Sequence, residues 1–210
     1  MSEAMDITRS ISQVVKLLEA QAIFPEDLGD YMLKLAPNLE FLDTRSEALT
    51  EDEIANLIGF VFENIPRDVI ICDVRTEITD AITVRLLNDC DVIILVSLPN
   101  VRSLELVKRW VESGLLPKKP VMLLVNRYDT LIMPLSKAAN IAGCRVRDTC
   151  KLRYNPFIIK NCNDGELHTI VPYVLDKDPR VVELNIDLKE CVQFLFSHMN
   201  KKFKWGEVET

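Results

Sequence analysis

The sequence predicts an α/β protein with a mostly parallel sheet flanked by helices on both faces. Three apolar runs of strand length carry this prediction, at residues 68–73, 91–98 and 121–125. Segments in which apolar residues recur at helical spacing separate the runs. Strands that are apolar on both faces are typical of a parallel sheet buried between helical layers. The length suits one domain, which we expect to cover residues 1–210.

Seven segments have the pattern of helices, and two further segments resemble strands. Thr50 is a predicted N-cap, because Glu53 three residues later completes a capping box. The predicted helices are 6–21, a short one from Pro25 through about Leu35, 50–64, 79–88, 101–113, 133–142 and 187–201. The additional strands are 39–43 and 156–160, whereas residues 161–185 are polar and ambiguous.

Composition excludes several classes of protein. The formal net charge is −7, which disfavours nucleic acid as a partner. No apolar run approaches the roughly 18–20 residues that span a bilayer. The first residues are acidic and do not resemble a signal peptide. We therefore expect a cytoplasmic protein without a transmembrane segment.

Cysteine and histidine spacing predicts no metal site. None of the six cysteines forms a CxxC pair. Cys144, Cys150 and Cys162 are loosely spaced ahead of His168, and this spacing matches no zinc pattern. Cys72, in the predicted strand 68–73, is expected to pack as a small apolar residue.

The predicted strands end in residues that suit a ligand site. Asp73 closes the run 68–73, and Asn126 and Arg127 follow the run 121–125. Ligands of open α/β sheets bind beyond the carboxyl ends of the strands. The polar residues that follow these runs are therefore candidate ligand contacts.

Taken in order, these pieces resemble the ParA/MinD class of deviant-Walker P-loop ATPases. The closest likeness is to its CpaE/TadZ branch, which is tied to pilus assembly and polar localisation. The likeness covers roughly 28–130 well and 131–200 weakly. Its pieces are Asp68 to Asp73, Thr79-Asp80-Ala81, Asn88 to Val96, Pro99, Ser103-Leu104 and Val121 to Asp129.

The resemblance implies a P-loop NTPase-like fold of the SIMIBI type, with ATP and magnesium as cofactors. It places Asp73 near magnesium or the attacking water, and Asn126 on the adenine edge. It implies that Arg127 lines the base or the face of a homodimer, and that Pro172 flanks the base. Each residue also has a structural alternative: a turn cap for Asp73, loop organisation for Asn126, a solvated arginine, and a turn proline.

The glycine-rich phosphate loop of that class has no counterpart in this sequence. All six glycines are isolated: Gly29, Gly59, Gly114, Gly143, Gly165 and Gly206. Arg75 and Glu77 also follow Asp73 where the class has small residues. Phosphoryl transfer depends on positioned phosphates and charge stabilisation. We therefore expect the phosphate-loop strand to be missing and this chain alone not to hydrolyse ATP.

Three functions are left open. The first is a degenerate ParA/MinD-like scaffold or localisation factor that binds a protein partner, in pilus assembly or secretion. The second is an ATP-binding ATPase of the same class whose phosphate-loop half is absent from this chain, which the string Asn126-Arg127-Tyr128 favours. The third is an unrelated receiver- or flavodoxin-like binding module.

Overall fold

The computed structural model describes residues 11–36, 39–42, 49–64, 67–74, 81–166 and 178–199. The chain separates into two compact units, Met1–Leu86 and Leu87–Thr210. A single domain over residues 1–210 stays a prediction.

The first unit combines two helices with a small antiparallel hairpin. Its elements are α1 (Ile11–Glu19), a 3-10 helix (Pro25–Tyr31), β1 (Leu33–Ala36), β2 (Leu39–Phe41) and α2 (Glu51–Asn64). Its buried core comprises Val14, Val15, Ile23, Leu28 and Leu57. The strand predicted at 39–43 is present as β2, but the helix predicted through Leu35 is shorter. It ends at Tyr31 because the chain turns into β1, which pairs with β2.

The predicted capping box of α2 is confirmed. The backbone N–H of Thr50 donates to Glu53 Oε2 over 2.7 Å, and the N–H of Glu53 donates to Thr50 Oγ1 over 3.3 Å. Hydrogen bonds from the backbone and the hydroxyl of Thr50 lower the pKa of Glu53. The reciprocal hydrogen bonds between Thr50 and Glu53 therefore start α2 directly after the predicted N-cap.

The prediction of a strand at residues 68–73 is wrong. Residues 67–74 follow an irregular path, and the side chain of Ile71 is 82% exposed. Val69, Ile70 and Val74 are exposed as well. A strand forms when a neighbouring strand satisfies its backbone groups. Within the described part of the chain no strand pairs with this run.

The second unit is built on a three-stranded parallel sheet in the order β3-β4-β5. Helix α3 (Ala81–Asp89) crosses the boundary between the units, and its predicted first residues, 79–80, lie outside the described ranges. The other elements are β3 (Ile93–Ser97), α4 (Val101–Glu112), β4 (Val121–Tyr128), α5 (Leu135–Ala142), a 3-10 helix (Val146–Asp148), β5 (Thr149–Arg153), α6 (Pro156–Asn163) and α7 (Val182–His198). The sequence prediction of strands 91–98 and 121–125 is confirmed, and β4 continues to Tyr128.

Helices cover both faces of this sheet. On one face α4 and α5 bury Leu104, Val107, Ala138 and Ala142 in one cluster with the β4 residues Leu123 and Val125. On the other face Met122 and Cys150 pack with three residues of α7, namely Cys191, Phe194 and Leu195. The protein therefore has the predicted α/β class, a parallel sheet flanked by helices.

Two elements near the carboxyl end differ from the prediction. Residues 156–160, predicted as a strand, begin α6, because Asn155 Oδ1 accepts the N–H of Phe157 over 2.9 Å and Pro156 suits the first helical turn. The strand actually lies just before, as β5, which pairs with β4.

The final helix starts earlier than the predicted residue 187, at Val182. Across the residues that the structure describes, no helix has the length and hydrophobicity that a bilayer-spanning segment requires.

Candidate functional site: a cleft at the carboxyl edge of the sheet

An open cleft of about 430 Å³ lies where the three parallel strands of the second unit end. Its lining comes from the segments that follow β3 and β5 and from the end of β4 and the turn beyond it. The lining residues are Leu98, Pro99, Asn100, Arg127, Asp129, Ile132 and Tyr154. This is the edge at which ligands of open α/β sheets bind.

Asn100 connects the cleft to helix α4. Its Oδ1 accepts the N–H of Ser103 over 2.9 Å, and its carbonyl accepts the N–H of Leu104 over 3.1 Å. Asn100 is thus a satisfied N-cap whose side-chain oxygen is occupied by the helix. Its role at the cleft is to begin α4 at this point of the wall.

A bulge in β4 places Arg127 in the cleft. The register between β4 and β5 shifts between Asn126 and Tyr128, and Arg127 has a φ of 52°, in the left-handed region. Asn126 Oδ1 accepts the N–H of Arg127 over 2.8 Å, which stabilises this uncommon conformation. The exposed guanidinium of Arg127 has no hydrogen bond or ion pair with any residue that the structure describes.

Asn126, the predicted adenine contact, is half-buried and is not among the lining residues. Its side-chain oxygen, Oδ1, accepts the backbone N–H of the next residue, which matches the structural alternative of loop organisation. Contact of Asn126 with a base stays a prediction. Of the two adjacent candidates, Arg127 is the one whose side chain lines the cleft.

Asp73 and Pro172, the other two predicted site residues, are not among the described residues of the second unit. Asp73 belongs to the first unit and is exposed on the irregular stretch 67–74. Pro172 falls outside the described residues. Of the predicted contacts that the structure describes in the second unit, Arg127 therefore lines the cleft and Asn126 does not.

A turn after β4 gives the cleft an apolar rim. Asp129 Oδ1 accepts the N–H of Leu131 over 2.8 Å, and its carbonyl accepts the N–H of Ile132 over 3.1 Å. The turn presents Leu131 at 93% exposure and Ile132 at 61%. Leu98 and Tyr154 are also substantially exposed. Such a cluster of exposed apolar side chains is typical of an interaction surface.

Arg153 fixes the wall that carries Tyr154. Its guanidinium lies 3.1 Å from Glu183 Oε1 and also contacts the buried Asp187, both on α7. The N–H of Tyr154 donates to the carbonyl of Tyr128 over 3.4 Å. Arg153 is consequently a positioning residue at the end of β5, whereas Arg127 is available to a ligand.

The lining lacks the groups that a nucleoside triphosphate with magnesium requires. Among the residues that the structure describes, the lining contains no glycine and no lysine, and these residues offer neither a cradle of closely approaching amides nor an ammonium for the phosphates. Nowhere in the described ranges do three histidine, cysteine, aspartate or glutamate side chains gather as metal ligands. The described lining residues also include no histidine or cysteine that could act as a nucleophile.

A second hollow, of about 320 Å³, lies in the first unit against α1 and α2. Its lining includes Glu19, Glu53 and Glu63 together with Arg85. Arg85 Nη1 donates to the carbonyl of Ala55 over 3.0 Å. Because its arginine is engaged by α2 itself, this hollow is the weaker candidate site.

Sequence reasoning missed most of the cleft. The sequence does not predict Tyr154 at the sheet edge, because the predicted strand falls one segment too late, at 156–160. The prediction places Leu98 at the end of a strand and does not distinguish Ile132 from other apolar residues. A signal was available in the sequence: Thr149–Arg153 is followed by Tyr154 and Asn155-Pro156, a pattern that indicates the end of a strand and then the start of a helix.

Comparison with known proteins identifies the fold. No protein-family model and no curated protein matches this sequence. Among solved structures, the protein is similar to a ParA family ATPase from Chlorobium tepidum TLS, with a TM-score of 0.67 and 14% sequence identity. The match covers 86% of this chain and 75% of that chain. At this identity the likeness shows the fold alone, which is the ParA-like P-loop NTPase fold.

Proposed function

We propose that this protein uses its ParA-like fold as a non-hydrolysing scaffold or localisation factor that binds a protein partner. The observation that carries the proposal is the open, largely apolar cleft at the carboxyl edge of the sheet. Nucleotide-hydrolysing proteins of this general architecture need phosphate-binding groups at such an edge. Here the edge presents Leu98, Ile132 and Tyr154 instead.

Three features support the absence of hydrolysis. The sequence has no glycine-rich loop with a lysine. Asp73, the candidate switch acid, lies on an exposed, irregular stretch. The part of the lining that the structure describes has no lysine to stabilise developing charge on a phosphoryl group.

The shape and chemistry of the cleft suit a protein surface. Leu98, Ile132 and Tyr154 keep 42%, 61% and 54% of their surface exposed, so the cleft is shallow. Small-molecule sites commonly bury most of the ligand. Protein interfaces, by contrast, combine an apolar centre with arginine and tyrosine, and both residue types are present here.

Calorimetry with ATP and with ADP, each with and without magnesium, tests the proposal, together with phosphate release. We expect no binding up to millimolar nucleotide and no hydrolysis. The matched variants are Asn126→Asp, which keeps the oxygen that accepts the Arg127 N–H but loses the amide donor, and the exposed Asn140→Ala. Micromolar binding that Asn126→Asp weakens and Asn140→Ala does not would refute the proposal.

That outcome would support the second candidate, an ATP-binding protein whose phosphate-binding half lies outside this chain. Two observations favour it. The string Asn126-Arg127-Tyr128 resembles the base-recognition segment of the ParA/MinD class, and the fold is similar to that of a ParA family ATPase. In this case ATP and magnesium would be the cofactors and a homodimer the working form.

The resemblance to the CpaE/TadZ branch is the reason to propose pilus assembly or secretion as the setting, at a cytoplasmic location. Site-specific photo-crosslinking in cells tests this part. A photoreactive residue at Leu131, on the rim, should capture a defined protein of that machinery. The same residue at Leu106, on the exposed face of α4, is the control. Equal capture from both positions would count against a partner at the cleft.

A further inference from the structure

The cleft combines apolar walls with one arginine whose charge is unmatched. Arg127 lines the cleft and its side chain has no partner in the described part of the chain. The other charged lining residue, Asp129, already accepts the N–H of Leu131 through one carboxylate oxygen. The two side chains form no ion pair with each other within the described ranges.

The position of Arg127 is structurally unusual. Its left-handed backbone conformation is rarely adopted by an arginine and costs free energy. The bulge changes the direction of the Arg127 side chain, which would otherwise follow the regular alternation of side chains along β4. Its neighbours in the lining, Pro99 and Tyr154, come from other strand ends, so the guanidinium stands among elements that converge from all three strands.

A guanidinium in this setting has a defined chemical preference. It offers parallel N–H donors that match the two oxygens of a carboxylate. Nearby apolar surface reduces the screening of such a pair by water. The described lining has one arginine and no lysine, which suits a single carboxylate better than the several phosphates of a nucleotide or nucleic acid.

The apolar walls define the other half of the ligand. Leu98 and Ile132 are exposed aliphatic side chains, and Tyr154 has an apolar ring with a polar tip. An aromatic or large aliphatic side chain that fills a cleft of this size is the usual anchor of a protein interface.

We infer that the cleft recognises a peptide segment of a partner protein in which a bulky apolar side chain stands next to a carboxylate. The apolar side chain packs between Leu98, Ile132 and Tyr154, and the carboxylate pairs with Arg127. The inference rests on the proposed scaffold function and names the chemistry of its partner. The chain has a net charge of −7, so general attraction does not favour an acidic segment, and Arg127 must supply the selectivity.

Selection from a display library of random dodecapeptides on the full chain tests the inference. We expect enriched sequences to place aspartate, glutamate or the terminal carboxylate beside phenylalanine, leucine or isoleucine. Arg127→Gly is the test variant, because glycine accepts the left-handed conformation and removes the guanidinium. Arg109→Gln, on the exposed last turn of α4, makes the same change in net charge away from the cleft.

Fluorescence anisotropy with an enriched peptide and its amide counterpart then isolates the ion pair. Replacing the carboxylate by an amide should weaken binding to the wild type and to Arg109→Gln by about tenfold or more. The same replacement should have little effect on peptide binding to Arg127→Gly. Circular dichroism verifies that this variant is folded. Equal loss in all three proteins, enriched sequences without acids, or no enrichment at all would overturn the inference.

These outcomes separate the inference from the proposed function. Binding of apolar peptides without an acid would refute only the role of Arg127 and leave a partner-binding cleft. Nucleotide binding or hydrolysis in the calorimetric experiment would refute the scaffold proposal whatever the peptides show.

Discussion

The backbone N–H of Arg153 donates to Oδ2 of Asp187 over 2.9 Å, and the Asp187 carboxylate is completely buried. The guanidinium of the same arginine lies 3.3 Å from the other carboxylate oxygen. One aspartate of α7 therefore holds both the backbone and the side chain at the end of β5. Tyr154, the next residue, lines the cleft, so this pair links packing on the sheet face to the geometry of the site.

Asp187 should make stability fall as pH rises. Burial raises its pKa above the ordinary value of 3.8, although the Arg153 N–H and guanidinium act in the opposite direction. The folded state then keeps its proton to higher pH than the unfolded chain. Urea unfolding of wild type and Asp187→Asn between pH 4 and 7 should show the wild-type advantage decreasing as pH rises from near 3.8 through the raised pKa.

Asp178→Asn is the matched control with the opposite sign. Hydrogen bonds from Arg180 lower the pKa of Asp178, so its contribution is present above 3.8 and is lost as pH falls through the lowered value. A wild-type advantage over Asp187→Asn that grows with pH would show that the ion pair outweighs burial.

Asn155 should be a strong contributor to the start of α6. Its Oδ1 accepts the N–H groups of Phe157 and Ile158, and its Nδ2 donates to the carbonyl of Arg180 over 2.8 Å. Asn155→Ala should lower the free energy of unfolding by about 1–2 kcal/mol, measured by urea denaturation. Asn155→Asp keeps the acceptor and should lose less. A change in Asn155→Ala within about 0.5 kcal/mol would contradict the cap.

Position 127 should tolerate glycine better than a branched side chain. The φ of 52° is free of strain for glycine and costs an L-residue free energy. Arg127→Gly should match the wild type or exceed it by up to about 1 kcal/mol. Arg127→Val should be less stable by about 1–2 kcal/mol. Denaturant unfolding of both variants checks this order, and a valine variant as stable as the glycine variant would argue against the bulge.

Cys72 should react rapidly with a thiol reagent. The structure exposes Cys72 and Cys162 but buries Cys150 and Cys191. Brief alkylation of the native protein, followed by peptide mapping, should label the first pair fully before the second pair reacts. Cys162 serves as the exposed reference. Slow labelling of Cys72 alongside Cys191 would instead support the buried strand that the sequence predicted over 68–73.

The cores of β3 and β4 and the helices around them could be predicted from sequence because their signals are local. Continuous apolar runs gave β3 and β4, and the pair Thr50 and Glu53 marked the start of α2. The prediction failed where the same residues suit both a strand and a helix. Residues 156–160 contain β-forming side chains, but Asn155 and Pro156 favour a helix start, and a short apolar run cannot distinguish the two.

The α/β class, the alternation of its elements and the absence of a glycine-rich phosphate loop could be predicted from the sequence alone. These follow from side-chain periodicity, capping residues and composition, which are properties of neighbouring residues. Long-range pairing makes Thr149–Arg153 a strand and leaves the apolar run at 68–73 irregular, because a strand depends on a partner distant in sequence. It also makes Arg127 rather than Asn126 line the cleft, since the bulge in β4 arises from its register with β5.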